Sequence, residues 1–94
     1  MPQVPDHLQS TCEMLRSAFP EGVTDAEYEG LLKLLYDEMS DRNLAIVIAG
    51  AFEKDELFVM NDIWRVANSG AEWNLDEIRN RLLPHGFEQW LEED

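Results

Sequence analysis

The side chains that most often carry enzyme chemistry are few in this chain and widely separated. The two histidines, His7 and His85, lie near opposite ends, and neither has a second histidine or a carboxylate at the spacing of a zinc site. The serines lack the surroundings of a catalytic nucleophile; they are Ser10, Ser17, Ser40 and Ser69. We therefore expect no catalytic residue, no cofactor and no metal site.

One acidic segment resembles a calcium-binding loop but fails on its spacing. Asp41-Arg42-Asn43 opens like such a loop, yet the sixth position, which requires glycine, is Ile46. The glycines are scattered singly, so no loop is shaped to hold a phosphate. Chance pairs of carboxylates are expected among 20 acids. Because nothing supplies a nucleophile, a base and an oxyanion donor together, we predict that the protein is not an enzyme.

The charge of the chain limits its partners. Its 94 residues hold 20 acids and 7 bases, a formal net charge of -13, and neither half of the chain is basic. Lysine and arginine supply most of the affinity of proteins for phosphate backbones and anionic lipids. We expect no direct nucleic-acid partner and no membrane partner. The charge favours a protein with a basic surface, or self-association.

The single cysteine and the N-terminal residues bear on the cellular compartment of the protein. Cys12 is the only cysteine, which excludes an internal disulfide and is typical of a reducing environment. Residues 1–6 have neither bases nor an apolar run, so they do not read as a secretory signal. We expect a cytoplasmic protein. The length predicts a single domain over residues 1–94, with residues 92–94 as a frayed acidic tail.

The nine residues from Leu44 to Phe52 are wholly apolar. A helix that is apolar on every face must be covered on several sides, so this stretch belongs at the centre of the fold. A strand is the alternative, but Ser40 provides a helix cap, alanine is a poor strand residue, and no second run of this kind could pair with it. We predict an all-α bundle of about five helices around a central apolar helix at residues 41–53.

Local signals place the other helices. The first runs from Asp6 to Phe19, and Thr24 with Glu27 forms a capping box that opens the second. The fourth covers residues 57–67. The first and fourth helices each have an apolar stripe at helical spacing. The stripe residues are Leu8, Cys12, Leu15 and Phe19 in the first, and Leu57, Met60, Trp64 and Ala67 in the fourth, with Ile63 beside them.

The last third of the chain repeats the capping device. Asn74 is predicted to cap a fifth helix with Glu77, while Trp73 and Ile78 form a hydrophobic staple. Pairs four residues apart, Glu29 with Lys33 and Glu77 with Arg81, are expected on the exposed faces. Phe87, Trp90 and Leu91 are expected to fold back over the core.

The second and third helices, with the tight turn between them, could form a helix-turn-helix. The helix that would read DNA begins Asp41-Arg42-Asn43 and is then apolar, which leaves one base and no polar face to enter a groove. A helix-turn-helix regulator, or an acidic mimic of nucleic acid that binds a basic protein, is therefore kept only as the alternative function.

One segment resembles a known family. Phe19-Pro20-Glu21-Gly22-Val23, followed by Tyr28 and a leucine-rich helix, is similar to small actinobacterial helical proteins catalogued as a domain of unknown function. Weaker matches are Asp62-Ile63, Leu82-Leu83 and Gly86-Phe87. The resemblance implies a compact helical fold and no established activity, and it supplies no catalytic residue.

The leading hypothesis is a non-enzymatic protein-interaction domain. Trp64, Phe87 and Trp90 form the possible interaction surface, because large aromatic side chains are enriched at binding hot spots. The competing interpretation places all three in the core, where aromatic residues of small domains usually lie.

Overall fold

The computed structural model describes residues 4–70 and 72–92. Its helices are α1 (Asp6–Ala18), α2 (Asp25–Tyr36), α3 (Asp41–Phe52), α4 (Glu56–Ala67), α5 (Leu75–Leu82) and α6 (Phe87–Glu92), with a single 3-10 turn, Leu83–His85, between the last two. Within these ranges there is no strand. The predicted all-α bundle is confirmed, and the C-terminal aromatic segment adds a sixth helix to the five expected.

Helix α3 is the centre of the bundle, as its composition predicts. Its N-terminus is capped by Ser40, whose hydroxyl accepts a hydrogen bond from the Asn43 amide at 3.2 Å. The helix packs mainly against α1 and α4. Five of its side chains are completely buried: Leu44, Ala45, Val47, Ile48 and Ala49. It ends at Phe52, one residue earlier than predicted, where Glu53 takes the left-handed conformation at φ 54°.

The capping box predicted for α2 is observed in full, whereas the one predicted for α5 is observed only in part. At α2 the box is complete: the Thr24 hydroxyl accepts from the Glu27 amide at 3.2 Å, and the Glu27 carboxylate accepts from the Thr24 amide at 2.8 Å. At α5 the Asn74 side chain accepts from the Glu77 amide at 3.1 Å. The return bond predicted there is wrong, because the Glu77 carboxylate is held by the Asn74 side-chain amide at 3.4 Å.

The α1 stripe is buried as predicted, and Cys12 lies within it. The Cys12 thiol is 3.5 Å from the Val47 carbonyl oxygen of α3, to which it donates a weak hydrogen bond. Burial raises the pKa of Cys12 above its usual range, so the thiol stays protonated. Cys12 therefore acts as a small core side chain.

Ion pairs join different helices and replace the local pairs expected from the sequence. Glu29 binds Arg65 of α4 at 2.9 Å, and Glu27 binds Arg81 of α5 at 3.1 Å. The predicted pairs of Glu29 with Lys33 and of Glu77 with Arg81 do not form, since α2 turns its carboxylates toward arginines of neighbouring helices. Of the predicted tail, Glu92 ends α6, and residues 93–94 lie outside the described residues.

Candidate docking surface

Three large apolar side chains of α4 face the solvent. Leu57 is 76% exposed, Phe58 71% and Trp64 50%. Leu83 and Leu91 are the remaining exposed large apolar residues of the described chain, at 38% and 37%. We call Leu57, Phe58 and Trp64 the α4 patch, because together they form the most apolar exposed part of any described helix.

The opposite face of α4 makes the contact with the bundle. Val59, Ile63 and Val66 are at most 1% exposed and are spaced by four and three residues, the period of one helical face. Since seven residues make about two turns, Leu57 and Trp64 share the outer face. The stripe predicted from Leu57 and Trp64 is therefore wrong as a buried face. Helix α4 has two apolar stripes, and the β-branched one packs against α2 and α3.

Hydrogen bonds fix both ends of the α4 patch. The Asp55 carboxylate caps the helix by accepting from the Leu57 amide at 2.8 Å. At the other end the Trp64 indole N–H donates to the carboxylate of Asp41, the first residue of α3, at 3.1 Å. The backbone rise from Leu57 to Trp64 is about 10 Å. The patch thus has a fixed length on a capped helix.

The charged groups around the α4 patch are mostly acidic. Asp55 caps α4 and Glu56 is its first residue, both directly before Leu57, and Asp41 contacts Trp64. The base on α4 itself is already engaged, because Arg65 binds Glu29 at 2.9 Å and Asp62 at 3.4 Å. The surface therefore presents apolar side chains bordered by carboxylates.

A polar network holds α4 against α2. The Tyr28 hydroxyl donates to Asp62 at 2.7 Å, and Asp62 also accepts from Arg65. Arg65 reaches Glu29, which accepts a further bond from the Trp73 indole at 3.3 Å. Burial, followed by the hydrogen bond to Asp62, raises the pKa of Tyr28 well above its usual range, so the phenol is neutral at physiological pH. These contacts give the patch a fixed base.

The other two aromatic residues predicted at the interaction surface lie elsewhere. Phe87 is only 2% exposed, so its assignment to a surface is wrong. Trp90 stacks on Phe87 with ring centroids 5.7 Å apart, and its indole N–H donates to the buried Thr11 hydroxyl at 2.6 Å. Phe87 is buried because the left-handed Gly86, at φ 88°, turns the chain so that α6 covers the core. Of the three predicted residues, Trp64 is the exposed one.

The fold does not bring together the residues considered as catalytic or metal-binding candidates. His7 and His85 are both exposed, whereas Cys12 is buried. In the described part of the chain, no group of three or more histidine, cysteine or acidic side chains could hold a metal ion. None of the helices in the described residues is long and apolar enough to span a membrane.

Leu57 and Phe58 are surface residues that are not predicted as such from the sequence. The signal that could have found them is the competing stripe of Val59, Ile63 and Val66, whose β-branched side chains are stiff and pack well. Once that stripe is assigned to the core, Leu57 and Trp64 must point outward. Comparison with protein-family models, curated proteins and solved structures finds no match to this chain. The exposed side chains of α4 are therefore the basis for inferring a function. The resemblance to the helical family stays a prediction.

Proposed function

We propose that this protein is a non-enzymatic docking domain of the cytoplasm that binds an apolar, basic segment of a partner protein through the α4 patch. The observation that carries the proposal is the exposure of Leu57, Phe58 and Trp64 on one helix. Three of the five exposed large apolar side chains of the described residues lie on this helix, and a concentration of exposed apolar surface, in contrast to single side chains, is typical of interaction sites.

The composition of the patch is that of a binding site. Tryptophan is among the residues most enriched at hot spots, and Leu57 two turns away on the same face, with the exposed Phe58 next to it in the chain, adds apolar area that a partner can bury. The Trp64 indole is already oriented by its hydrogen bond to Asp41, so little side-chain entropy remains to be lost on binding.

The charge supports a basic partner over a second copy of the chain. Two copies that met at this surface would each bring a formal net charge of -13. The carboxylates of Asp55 and Glu56 lie at the start of α4 and that of Asp41 contacts Trp64, so lysine or arginine side chains of a partner could pair with them at both ends of the patch. Complementary charge raises the association rate and selects the partner.

The helix-turn-helix alternative receives less support. It needs an exposed third helix, whereas α3 packs mainly against α1 and α4, with Leu44, Ala45, Val47 and Ile48 fully buried. The acidic-mimic version requires the same basic partner. It differs in that carboxylates, and not the apolar patch, would supply most of the affinity.

Affinity capture with paired variants tests the proposal. The bait proteins are the wild type, Trp64→Ala, Leu57→Ser and a matched control, Leu83→Ser, which alters an exposed leucine outside α4. We expect a basic protein to be captured by wild type and control and to be lost from both α4 variants. Washing from about 0.05 to about 0.5 M salt should release it only partly, because apolar contacts persist when charges are screened. Capture that is equal for all four baits would contradict the proposal.

A defined probe makes the same test without a lysate. An amphipathic peptide of leucine and lysine, about 14 residues or four helical turns long, is titrated calorimetrically against a scrambled peptide of equal composition. We expect the ordered peptide to bind more tightly, and Trp64→Ala to remove that difference. Sedimentation velocity of the free protein tests whether a second copy of the chain binds the α4 patch instead. A dimer that Leu57→Ser dissociates would show that the patch binds a second copy and not a basic partner.

A further inference from the structure

The seven bases of the chain are used in two different ways. Arg65, Arg79 and Arg81 each lie within 4.0 Å of a carboxylate. The other four have no carboxylate within that distance among the described residues; they are Arg16, Lys33, Arg42 and Lys54. These four bases are therefore available to anionic groups from outside the chain, although the sequence holds 20 acids.

Two of these four bases line one cavity. Arg16 and Lys54 border a cavity of about 530 Å³ that lies between the C-terminal ends of α1 and α3 and the segment before α2. Its apolar wall is formed mainly by Val23 and Phe52, because Phe19, whose ring centroid lies 6.3 Å from that of Phe52, is only 2% exposed. Its volume is in the range of small-molecule sites, and it is an open cleft whose accessible lining is more polar than apolar.

Both bases are held in place by neutral groups. The Arg16 guanidinium donates one hydrogen bond to the Gly50 carbonyl oxygen at 2.8 Å, which leaves most of its five N–H donors for other acceptors. The Lys54 ammonium lies 4.8 Å from the centroid of the Tyr28 ring, and that phenol is neutral. Their positive charges are therefore not cancelled by these contacts.

We propose that this cavity binds a small apolar monocarboxylate. Glu53 also lines it, so two positive charges and one negative charge leave a local excess of one, which matches a singly charged ligand. The carbonyl ends of α1 and α3 carry partial negative charge, which disfavours every anion at this position and disfavours most a highly charged one such as phosphate. The carboxylate would lie between Arg16 and Lys54, and the apolar body against the phenylalanine wall. This site is separate from the α4 patch and does not depend on the docking function.

Titration of the isotope-labelled protein, followed by amide chemical shifts, tests the proposal. The probes are hexanoate and benzoate, with 1-hexanol, hexylamine and inorganic phosphate as controls. We expect the two carboxylates to shift saturably the amides of residues lining the cavity, and the three controls to bind at least about tenfold more weakly. Equal shifts with hexanol, or tighter binding of phosphate, would overturn the assignment of a monocarboxylate.

Paired variants identify the residues responsible. Lys54→Met should weaken hexanoate about tenfold, whereas Lys33→Met, which removes a base that does not line the cavity, should leave its affinity unchanged. Arg16→Lys keeps the positive charge but loses the planar guanidinium group that can bind both oxygens of a carboxylate. The melting temperature of each variant shows whether it folds. Equal affinity of the two methionine variants would overturn the proposal.

The same chemistry occurs in free acids and at the carboxyl end of a peptide. N-acetylphenylalanine and 3-phenylpropionate share the ring and the carboxylate, but the first also carries a peptide-like amide. Tighter binding of N-acetylphenylalanine would indicate a chain end as the source, and tighter binding of 3-phenylpropionate would indicate a free acid. Absence of binding by both would contradict the site.

Discussion

Two helices of this protein carry pairs of large aromatic residues and use them in opposite ways. On α6, Phe87 is buried and Trp90 stacks on it, so a helix of six residues is anchored by its aromatic side chains. On α4, Phe58 and Trp64 are exposed, because Val59, Ile63 and Val66 already provide the contact with the bundle. An aromatic residue is thus available for binding only where another stripe anchors its helix.

The two tryptophans show the same contrast in their hydrogen bonds. Trp90 donates to the hydroxyl of Thr11, which is 3% exposed, whereas Trp64 donates to Asp41 at the surface. A bond to a buried acceptor is costly to lose, because the acceptor has no water to replace its partner. A bond at the surface exchanges readily with water. The former stabilises the fold, and the latter orients a side chain.

The largest expected effect comes from truncating the two phenylalanines. Phe87→Ala should lower the free energy of unfolding by about 3 to 5 kcal/mol, because it removes a buried ring and leaves a cavity. Phe58→Ala should change it by no more than about 0.5 kcal/mol, as expected for an exposed position. Urea unfolding followed by circular dichroism measures both. A loss of several kcal/mol in Phe58→Ala would show that Phe58 belongs to the core.

The tryptophans give a smaller but sharper contrast. Trp90→Phe should cost about 1 to 3 kcal/mol, because it removes the donor to the buried Thr11 hydroxyl as well as part of the ring. Trp64→Phe should cost less than about 1 kcal/mol, since its bond to Asp41 lies at the surface. The two variants are compared by urea unfolding at one pH. Equal losses would remove the distinction between an anchoring and a docking tryptophan.

The sequence predicts the fold better than it predicts the candidate site. The all-apolar run of α3, the capping box at Thr24 and the α1 stripe are each predicted from local signals, and the structure has all three. Helix α4 has two apolar stripes, and only the packing of α2 and α3 decides between them. The exposure of Leu57 and Phe58 is therefore a tertiary property.

Phe87 illustrates the opposite difficulty. Its residue type fits a hot spot as well as a core, and periodicity cannot decide for a helix of six residues. What places it in the core is the turn at Gly86 together with the contact to Trp90, which depend on where α5 ends. The cross-helix ion pairs of Arg65 and Arg81 escape sequence analysis for the same reason, since their partners are distant in the chain.

The contacts that hold α4 to the bundle differ from those that hold α6. They predict the smallest change in the free energy of unfolding, and that change depends on pH. Phe87 anchors α6 through apolar contacts that do not titrate, whereas α4 is held to α2 partly by the bond from Tyr28 to Asp62. Burial and this bond raise the pKa of Tyr28 in the folded protein. The folded state therefore keeps the phenolic proton at pH values where the unfolded chain has lost it.

This difference stabilises the fold fully below about pH 10, the usual pKa of tyrosine, and the stabilisation declines as the pH rises above that value. Tyr28→Phe should cost about 1 kcal/mol near pH 8, where the hydrogen bond is lost. At about pH 11 the cost should shrink or reverse, because phenylalanine cannot ionise in the unfolded state. Urea unfolding of both proteins at the two pH values measures this change. A cost that is the same at both would show that the phenol of Tyr28 is not shielded, and that the base of the α4 patch is open to water.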